Sequence, residues 1–288
     1  MTPEQITTML AAAGLPGARA TPIHGGWASW TFDVNGTHIL RVARTEEIAA
    51  SHRREARLLP ELAAVVDFAV PVPSIVDEHD GLTFMVYRKV TGRPFAPGDP
   101  LPPVAAMLRD LHSFPVRRAA KLVDADVDPA AWRTGYEADR RWITDLVVPR
   151  LDAALAREVL DRFDAILPSL SIVEPVLVHR DLGTEHLLVD PDTGFATGMI
   201  DFETATVGDA TIDFVGLLAT LGDAATSRLI SHYGSSVSWR RLRFYSWMGS
   251  VHAIRYGVES GDAAIVADGI DGLRARITLA DAGPRADS

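Results

Sequence analysis

Two aspartates near the middle of the sequence, Asp181 and Asp201, have residue types and surroundings that suit a chemical reaction. Asp181 stands in the run His-Arg-Asp-Leu at residues 179–182, with His186 five positions after it, and Asp201 ends an apolar run. Transfer of a phosphoryl group needs one carboxylate that orients and deprotonates the attacking hydroxyl, and a second that holds Mg²⁺ against the phosphates. The pattern therefore predicts phosphoryl transfer, with Asp181 as the general base and Asp201 as a metal ligand.

The residues between these two aspartates have the pattern of a hairpin. Two apolar runs flank a Pro-Asp-Thr-Gly turn at residues 191–194. Turn chemistry of this kind between apolar runs is typical of paired strands. We therefore expect Asp181 in the loop before the hairpin and Asp201 at the end of its second strand.

Short strands are predicted for the first third of the chain. Residues 2–5 (Thr-Pro-Glu-Gln) have the pattern of a helix start with a capping box and proline at the first helical position. Asn35-Gly36 predicts a two-residue turn between strands at residues 31–34 and 38–42. Residues 45–64 then have helical periodicity.

The remainder of the chain is predicted to be mainly helical. Glycine and proline punctuate residues 91–94 and 97–100, the most linker-like stretch of the sequence. Helices are predicted beyond it, at residues 103–112 and 132–167 and within 212–280. This order predicts an α+β fold with two domains, an N-terminal lobe at residues 1–92 and a C-terminal lobe at residues 93–288.

The composition restricts the classes of function. The chain has 288 residues, of which 47% are apolar and 23% charged, so it can bury a core, and it has no cysteine that could form a disulfide or a thiolate site. The net charge of −10 argues against a nucleic-acid partner. The first residues lack the features of a signal peptide, and no apolar run approaches the roughly 20 residues of a membrane helix. We therefore expect a cytoplasmic monomer or weak dimer without a membrane partner.

Three motifs give the chain a family resemblance: residues 179–202, Gly208-Asp209 through Asp213-Phe214, and Tyr256-Gly257. With these motifs the chain resembles the aminoglycoside phosphotransferase family, and within it the enzymes that phosphorylate a 2″-hydroxyl, with the macrolide 2′-phosphotransferases close. The resemblance covers most of the chain. It implies a two-lobed protein-kinase-like fold, with a small β-rich lobe that binds nucleotide and a large helical lobe that carries the catalytic hairpin and the acceptor site. It also implies Mg²⁺, with ATP or GTP as co-substrate.

The resemblance assigns roles around the hairpin. Asp181 corresponds to the catalytic base, with His179 as a supporting residue, and Asp201 to the second metal ligand. His186 corresponds to the first metal position, where most members have Asn; imidazole suits Mg²⁺ less well, so His186 either contacts the metal or hydrogen-bonds Asp201 or a metal-bound water. Asp209 and Asp213 resemble structural aspartates that hold this loop from beneath, although Asp209 also suits a helix N-cap.

The resemblance also assigns nucleotide-binding residues in the N-terminal lobe. Arg41 stands where the family usually has the lysine that binds the α- and β-phosphates, with Glu55 as its ion-pair partner and Arg44 as the alternative cation. Gly25-Gly26 with Ser29 could cover the phosphates, because glycine lets backbone N–H groups approach closely, or could form a plain turn. The strand after residue 82 and its exit hold the purine in this family, which implicates three residues: Met85, Tyr87 and Val90.

The acceptor is the least determined part of the prediction. Residues 239–258 contain four arginines and no acid, whereas relatives that bind polycationic aminoglycosides usually have acids there. Acids elsewhere in the chain could compensate for the lack of acids in this segment. The aromatic residues would suit a larger, more apolar acceptor such as a macrolide, or could pack in the core. The predicted acceptor-binding residues are Trp142, Trp247, His252, Tyr256, Glu259 and Asp262.

Four functions therefore remain open. The leading prediction is phosphorylation of an aminoglycoside-like antibiotic, which would give resistance to it. The alternatives are a macrolide 2′-phosphotransferase, a small-metabolite kinase, and a non-catalytic, pseudokinase-like nucleotide-binding protein. The last is motivated by three departures: His186 and Arg41 depart from the family pattern, and Glu203 replaces the glycine of the Asp-Phe-Gly motif of protein kinases.

Overall fold

The chain folds into two compact units, as a computed structural model that describes residues 1–23, 28–235 and 237–282 shows. The first unit comprises Met1–Ala125 and Thr184–Thr206, and the second Asp126–Gly183 and Val207–Ser288. The first contains a five-stranded sheet, and the second is mainly helical. The predicted α+β order of elements is therefore confirmed.

The sheet of the first unit is antiparallel, with the strand order β1-β2-β3-β5-β4. Its strands are β1 (Ala20–Ile23), β2 (Ser29–Val34), β3 (His38–Ala43), β4 (Pro73–His79) and β5 (Leu82–Arg88). Asn35 and Gly36 form the turn between β2 and β3 with φ angles of 54° and 71°, which suits a tight hairpin. Val34 pairs with His38, so three residues separate the paired positions rather than the predicted two. Arg41 lies opposite Thr31 of β2 on one side and Met85 of β5 on the other.

Successive side chains of β3 point to opposite faces of the sheet, one towards the apolar core and the other towards charged residues. Leu40 and Val42 pack with Met9 and Leu10 of α1 (Pro3–Ala12), which begins with the predicted capping box. Arg41 lies between them in sequence and so points to the other face, where it meets α2 (Glu46–Ala63). A register shift of one residue would direct this cation into the apolar core.

The predicted linker at residues 91–94 belongs to a second, three-stranded sheet. β6 (Arg93–Pro94) pairs with β8 (Leu187–Val189), which pairs with β9 (Ala196–Met199). A Cβ on Gly92 would lie 2.9 Å from the carbonyl oxygen of Val189, so this glycine permits a close approach of two backbones. α3 (Leu101–Ser113) and α4 (Val116–Val123) follow in the same unit. The functional division at residues 92 and 93 stays a prediction, and the compact units have other bounds.

The second unit contains five helices among its described residues: α5 (Pro129–Trp142), α6 (Ala153–Leu170), α7 (Val215–Tyr233), α8 (Trp239–Ser260) and α9 (Ala263–Ala282). Two short strands, β7 (Pro175–Val178) and β10 (Thr206–Asp209), pair beside them. In the described part of the chain, no helix combines the length and the apolar content that a membrane span requires.

The helix predicted over residues 132–167 is divided into α5 and α6. The backbone widens into a π-type turn at Ile143–Val147 and tightens into a 3-10 turn at Val148–Arg150. Pro149 explains the break, because a proline has no N–H for the helical ladder and disfavours helical geometry in the residue before it. Trp142, a predicted acceptor residue, ends α5 at this break.

Candidate active site

Asp213 fixes the backbone of the loop that carries Asp181. The carboxylate is buried, and its two oxygens accept hydrogen bonds from the backbone N–H groups of His179 (2.9 Å) and Arg180 (2.7 Å). Arg180 has a φ of 71°, which is unfavourable for a residue with a long side chain. The two hydrogen bonds stabilise this conformation, and Asp181 follows it as an exposed residue. The resemblance implied this supporting role for Asp213.

Two further features pack the same loop tightly. His179 is completely buried, which agrees with a supporting part rather than contact with a substrate. A Cβ on Gly216, in the first turn of α7, would lie 2.5 Å from the carbonyl oxygen of Leu182. The loop therefore approaches the helix as closely as glycine allows.

Asp209 is the centre of a buried polar network that the sequence did not reveal. One carboxylate oxygen accepts from the backbone N–H of Thr211 (3.0 Å), so Asp209 caps the short 3-10 helix at Ala210–Phe214, as the N-cap interpretation predicts. The other accepts from Nε of Arg241 (2.6 Å) and from the hydroxyl of Tyr245 (2.9 Å), and Tyr245 in turn accepts from Nε1 of Trp132 (2.9 Å). Burial raises the pKa of Tyr245 well above its usual value. The network ties β10 to α5 and α8.

Arg41 lies at the centre of the charged groups of the first unit. Nη1 donates to both carboxylate oxygens of Glu55 (3.2 and 3.1 Å), while Nη2 donates to Glu203 and lies 3.4 Å from Oδ1 of Asp201. Burial alone would lower the pKa of Arg41, but Glu55 and the other carboxylates raise it, so the group stays charged. Burial also raises the pKa of Glu55, and Arg41 opposes that shift. The predicted pairing of Arg41 with Glu55 is confirmed.

Asp201 and His186 lie side by side at the end of the hairpin. Oδ2 of Asp201 is 3.6 Å from Nε2 of His186, and Oδ1 is buried and accepts no hydrogen bond within the described ranges of the chain. Asp201 has a φ of 69°, another uncommon backbone conformation. An oxygen ligand with an unfilled acceptor site beside an imidazole is a donor set that fits a divalent cation. Whether His186 binds the metal or only supports Asp201 stays a prediction.

A second set of possible ligand atoms already surrounds the guanidinium of Arg41. His52, Glu55 and Glu203 each present one ligand atom within 4.8 Å of the others. The guanidinium of Arg41 donates to both of these glutamates. We therefore infer that these two glutamates bind Arg41 rather than a metal ion.

The other predicted nucleotide residues are distributed over the first sheet. The hydroxyl of Ser29 is 3.0 Å from Nε2 of His52, and both residues are buried. Met85 is completely buried in β5, where its backbone lies between Arg41 of β3 and Val76 of β4, and burial raises the pKa of Tyr87 above its usual value. Val90 packs against Gly198. Gly25 and Gly26 lie outside the described residues.

Trp142 lies within a cluster of polar and charged groups in the second unit. The guanidinium carbon of Arg255 is 4.8 Å from the centre of the indole ring, the ring of His252 is 5.4 Å away, and Nε1 donates to Asp139 (2.9 Å). Loss of hydration lowers the pKa of His252; Asp139 opposes this shift, and Arg180 and Arg255 support it. His252 thus has two cations as neighbours, one of which, Arg180, directly precedes Asp181 in the chain.

The remaining predicted acceptor residues have different environments. Trp247 is 2% exposed and packs edge-on against aromatic residues of the core, so the structure gives it a packing role. Asp262 caps α9 through the N–H groups of residues 264 and 265. Glu259 accepts from Arg255 (2.7 Å), and Tyr256 is 41% exposed.

Known proteins resemble this chain in both sequence and fold. The uncharacterized protein YcbJ of Bacillus subtilis (strain 168) is 37% identical over 70 residues, which are 24% of this chain and 21% of that protein. The match therefore spans about a fifth of that relative's length.

Among solved structures, the GDP and kanamycin complex of APH(2″)-IIIa has 24% identity and a TM-score of 0.85, with 95% of this chain and 98% of that chain covered. The GDP complex of wild-type aminoglycoside 2′-phosphotransferase-IIIa has 23% identity and a TM-score of 0.86, over 97% and 99%. Macrolide 2′-phosphotransferase type I has 22% identity and a TM-score of 0.72, over 95% and 98%. These similarities confirm the predicted kinase-like fold.

The sequence profile described as the phosphotransferase enzyme family (APH) matches residues 19–245, which include the hairpin, the loop of Asp181 and the strand of Arg41. This match covers most of the chain, and the structural neighbours have the same fold. The protein therefore belongs to the phosphotransferase enzyme family.

Proposed function

We propose that the protein transfers the γ-phosphoryl group of ATP or GTP to a hydroxyl of a small-molecule antibiotic, with an aminoglycoside-like compound as the leading acceptor. The observation that carries this proposal is the position of Arg41, a buried cation paired with Glu55 and 3.4 Å from a carboxylate oxygen of Asp201. A phosphate-binding cation beside a metal-binding carboxylate is what a nucleoside triphosphate needs. Structural neighbours solved with GDP, ADP and ATP support a nucleotide co-substrate.

The proposed mechanism depends on position and charge rather than on a covalent intermediate. Asp181 accepts the proton of the acceptor hydroxyl and orients its oxygen toward the γ-phosphorus. Arg41 binds the α- and β-phosphates and neutralises part of the charge that develops on the leaving diphosphate. Asp201, with His186 beside it, would hold Mg²⁺, which when bound neutralises phosphate charge.

Two acceptor classes follow from different observations. The aminoglycoside proposal is supported by fold neighbours solved as complexes with kanamycin, gentamicin and streptomycin. The macrolide proposal is supported by the cations around Trp142 and by the acid-free sequence at residues 239–258, because a macrolide carries fewer amines. Acids of α5 and α8 are also engaged, since Glu137 accepts from Arg133 and Glu259 from Arg255.

The test is a resistance profile combined with a loss-of-function variant. The intact protein is expressed in a sensitive bacterium, and inhibitory concentrations of aminoglycosides and macrolides are measured beside release of nucleoside diphosphate by the purified enzyme. Asp181→Asn should abolish resistance and cut turnover by orders of magnitude without changing the unfolding temperature. Asp192→Asn, the same change at an exposed turn, serves as the matched control. Normal turnover in Asp181→Asn would refute the assigned base, and nucleotide binding without turnover on any acceptor would favour the pseudokinase alternative.

A further inference from the structure

Carboxylates surround the guanidinium of Arg41. Nη1 donates to Glu55, and Nη2 donates to Glu203 and forms a longer ion pair with Asp201, at 3.4 Å. A guanidinium binds phosphate through its N–H groups. Nη2 therefore cannot donate fully to a phosphate while Glu203 holds it.

The two glutamates that hold Arg41 differ in how firmly they are placed. Glu55 binds Nη1 with both oxygens, and its side chain is 1% exposed. Glu203 binds the nitrogen that lies nearest Asp201, and its side chain is 16% exposed. Glu203 is thus the partner that a phosphate beside Asp201 would meet first.

The backbone of Glu203 is fixed, so only its side chain has to move. The hydroxyl of Ser51 on α2 donates to the carbonyl oxygen of Glu203 (2.6 Å), which anchors the short 3-10 turn at Phe202–Thr204 to the helix that also carries Glu55. Rotation of one partly exposed side chain releases Nη2 and leaves this anchor intact. The sequence signal is Glu203 itself, which takes the place of the glycine in the Asp-Phe-Gly motif of protein kinases.

We propose that Glu203 is a displaceable clamp: it holds Arg41 until a phosphate of the nucleotide displaces its carboxylate. This competition weakens nucleotide affinity and so raises the nucleotide concentration that is needed to fill the site. This inference rests on the proposed nucleotide-binding function. Three carboxylates surround one guanidinium here, which leaves an excess of negative charge that repels a polyphosphate. Removal of the Glu203 charge therefore favours the phosphate-bound state.

The test compares a nucleotide with the corresponding nucleoside. Calorimetry on the full chain gives the dissociation constants of Mg²⁺–ATP and of adenosine. If the wild type binds GTP more tightly than ATP, Mg²⁺–GTP and guanosine are used instead. Glu203→Gln should bind the triphosphate about tenfold more tightly, which corresponds to about 1.4 kcal/mol, and the nucleoside unchanged. Glu46→Gln, which removes an exposed glutamate paired with Arg53 on the same helix, should change neither constant.

The outcomes separate this inference from the function that it deepens. A wild-type protein that binds no nucleotide would refute the proposed function. A wild type that binds nucleotide, with Glu203→Gln binding equally or more weakly, would overturn the clamp and make Glu203 a positioning residue for Arg41 or for the metal. Equal tightening of triphosphate and nucleoside would also overturn it, because a general change of the pocket would then explain the effect.

Discussion

Replacement of Asp213 tests whether this residue positions the catalytic loop. Asp213→Ala removes the acceptor of two N–H groups, of which that of His179 is buried and that of Arg180 partly buried. A hydrogen bond to a charged group contributes about 1.5–3 kcal/mol, and less where water can replace it. We therefore expect a loss of about 3 kcal/mol in the free energy of unfolding, which for a chain of this size lowers the Tm by about 6 °C.

The same variant should lose activity because Arg180 would leave its unfavourable conformation and displace Asp181. A displacement of about 1 Å costs on the order of 10²-fold in kcat. Asp213→Asn should resemble the alanine variant, since an amide offers one acceptor oxygen and turns an NH₂ group toward the second N–H.

Thermal unfolding, turnover and amide hydrogen exchange at residues 179 and 180 measure these effects. Asp192→Ala, at an exposed position of the hairpin turn, controls for the loss of a carboxylate. The reasoning is refuted if Asp213→Asn keeps wild-type exchange protection at both amides together with wild-type kcat.

Two further predictions concern stability. Burial, with Arg41 as the next cause, lowers the folded-state pKa of His52 from 6.5 to about 3; the folded state thus needs the neutral ring, and stability falls as the pH drops from about 6.5 toward 3. The loss should be about 2 kcal/mol at pH 5 relative to pH 8, and urea unfolding of His52→Gln should lack this part of the pH dependence. A Cβ on Gly208 would lie 2.3 Å from the ring of Trp132, so Gly208→Ala should destabilise by about 1–3 kcal/mol. Gly249→Ala, a helical glycine with open space around its Cβ, should instead stabilise by about 0.5–1 kcal/mol, and equal melting temperatures of the two variants would contradict this assignment.

The local elements near the active site could be predicted from the sequence because short-range chemistry specifies them. Asn35-Gly36 gave the hairpin between β2 and β3, although not its register, and the pattern of residues 2–5 gave the capped start of α1. The motif around Asp181 and Asp201 likewise indicated the family through residue types and spacing alone. In each of these cases the residues that decide the conformation are neighbours in the chain.

Where the prediction was incomplete, a local helix break was missed or the deciding contacts join distant residues. The predicted long helix is broken between α5 and α6, because a proline outweighs the helical periodicity. The predicted linker contains a strand, Arg93–Pro94, because β8 pairs with it in spite of the nearby glycine and prolines. Trp247, which was predicted to bind the acceptor, packs in the core, because periodicity alone cannot tell a buried helix face from a binding face.

Residue types alone predicted which groups could do chemistry: two aspartates, a histidine at a predicted metal position and an arginine in place of the usual lysine. Only the tertiary structure decided what holds those groups. Arg41 and Glu203 are 162 positions apart, and Asp213 reaches the N–H of His179 across 34. Such pairs form because the packing of whole elements brings them together, and the geometry of that packing is not encoded in any short segment of the chain.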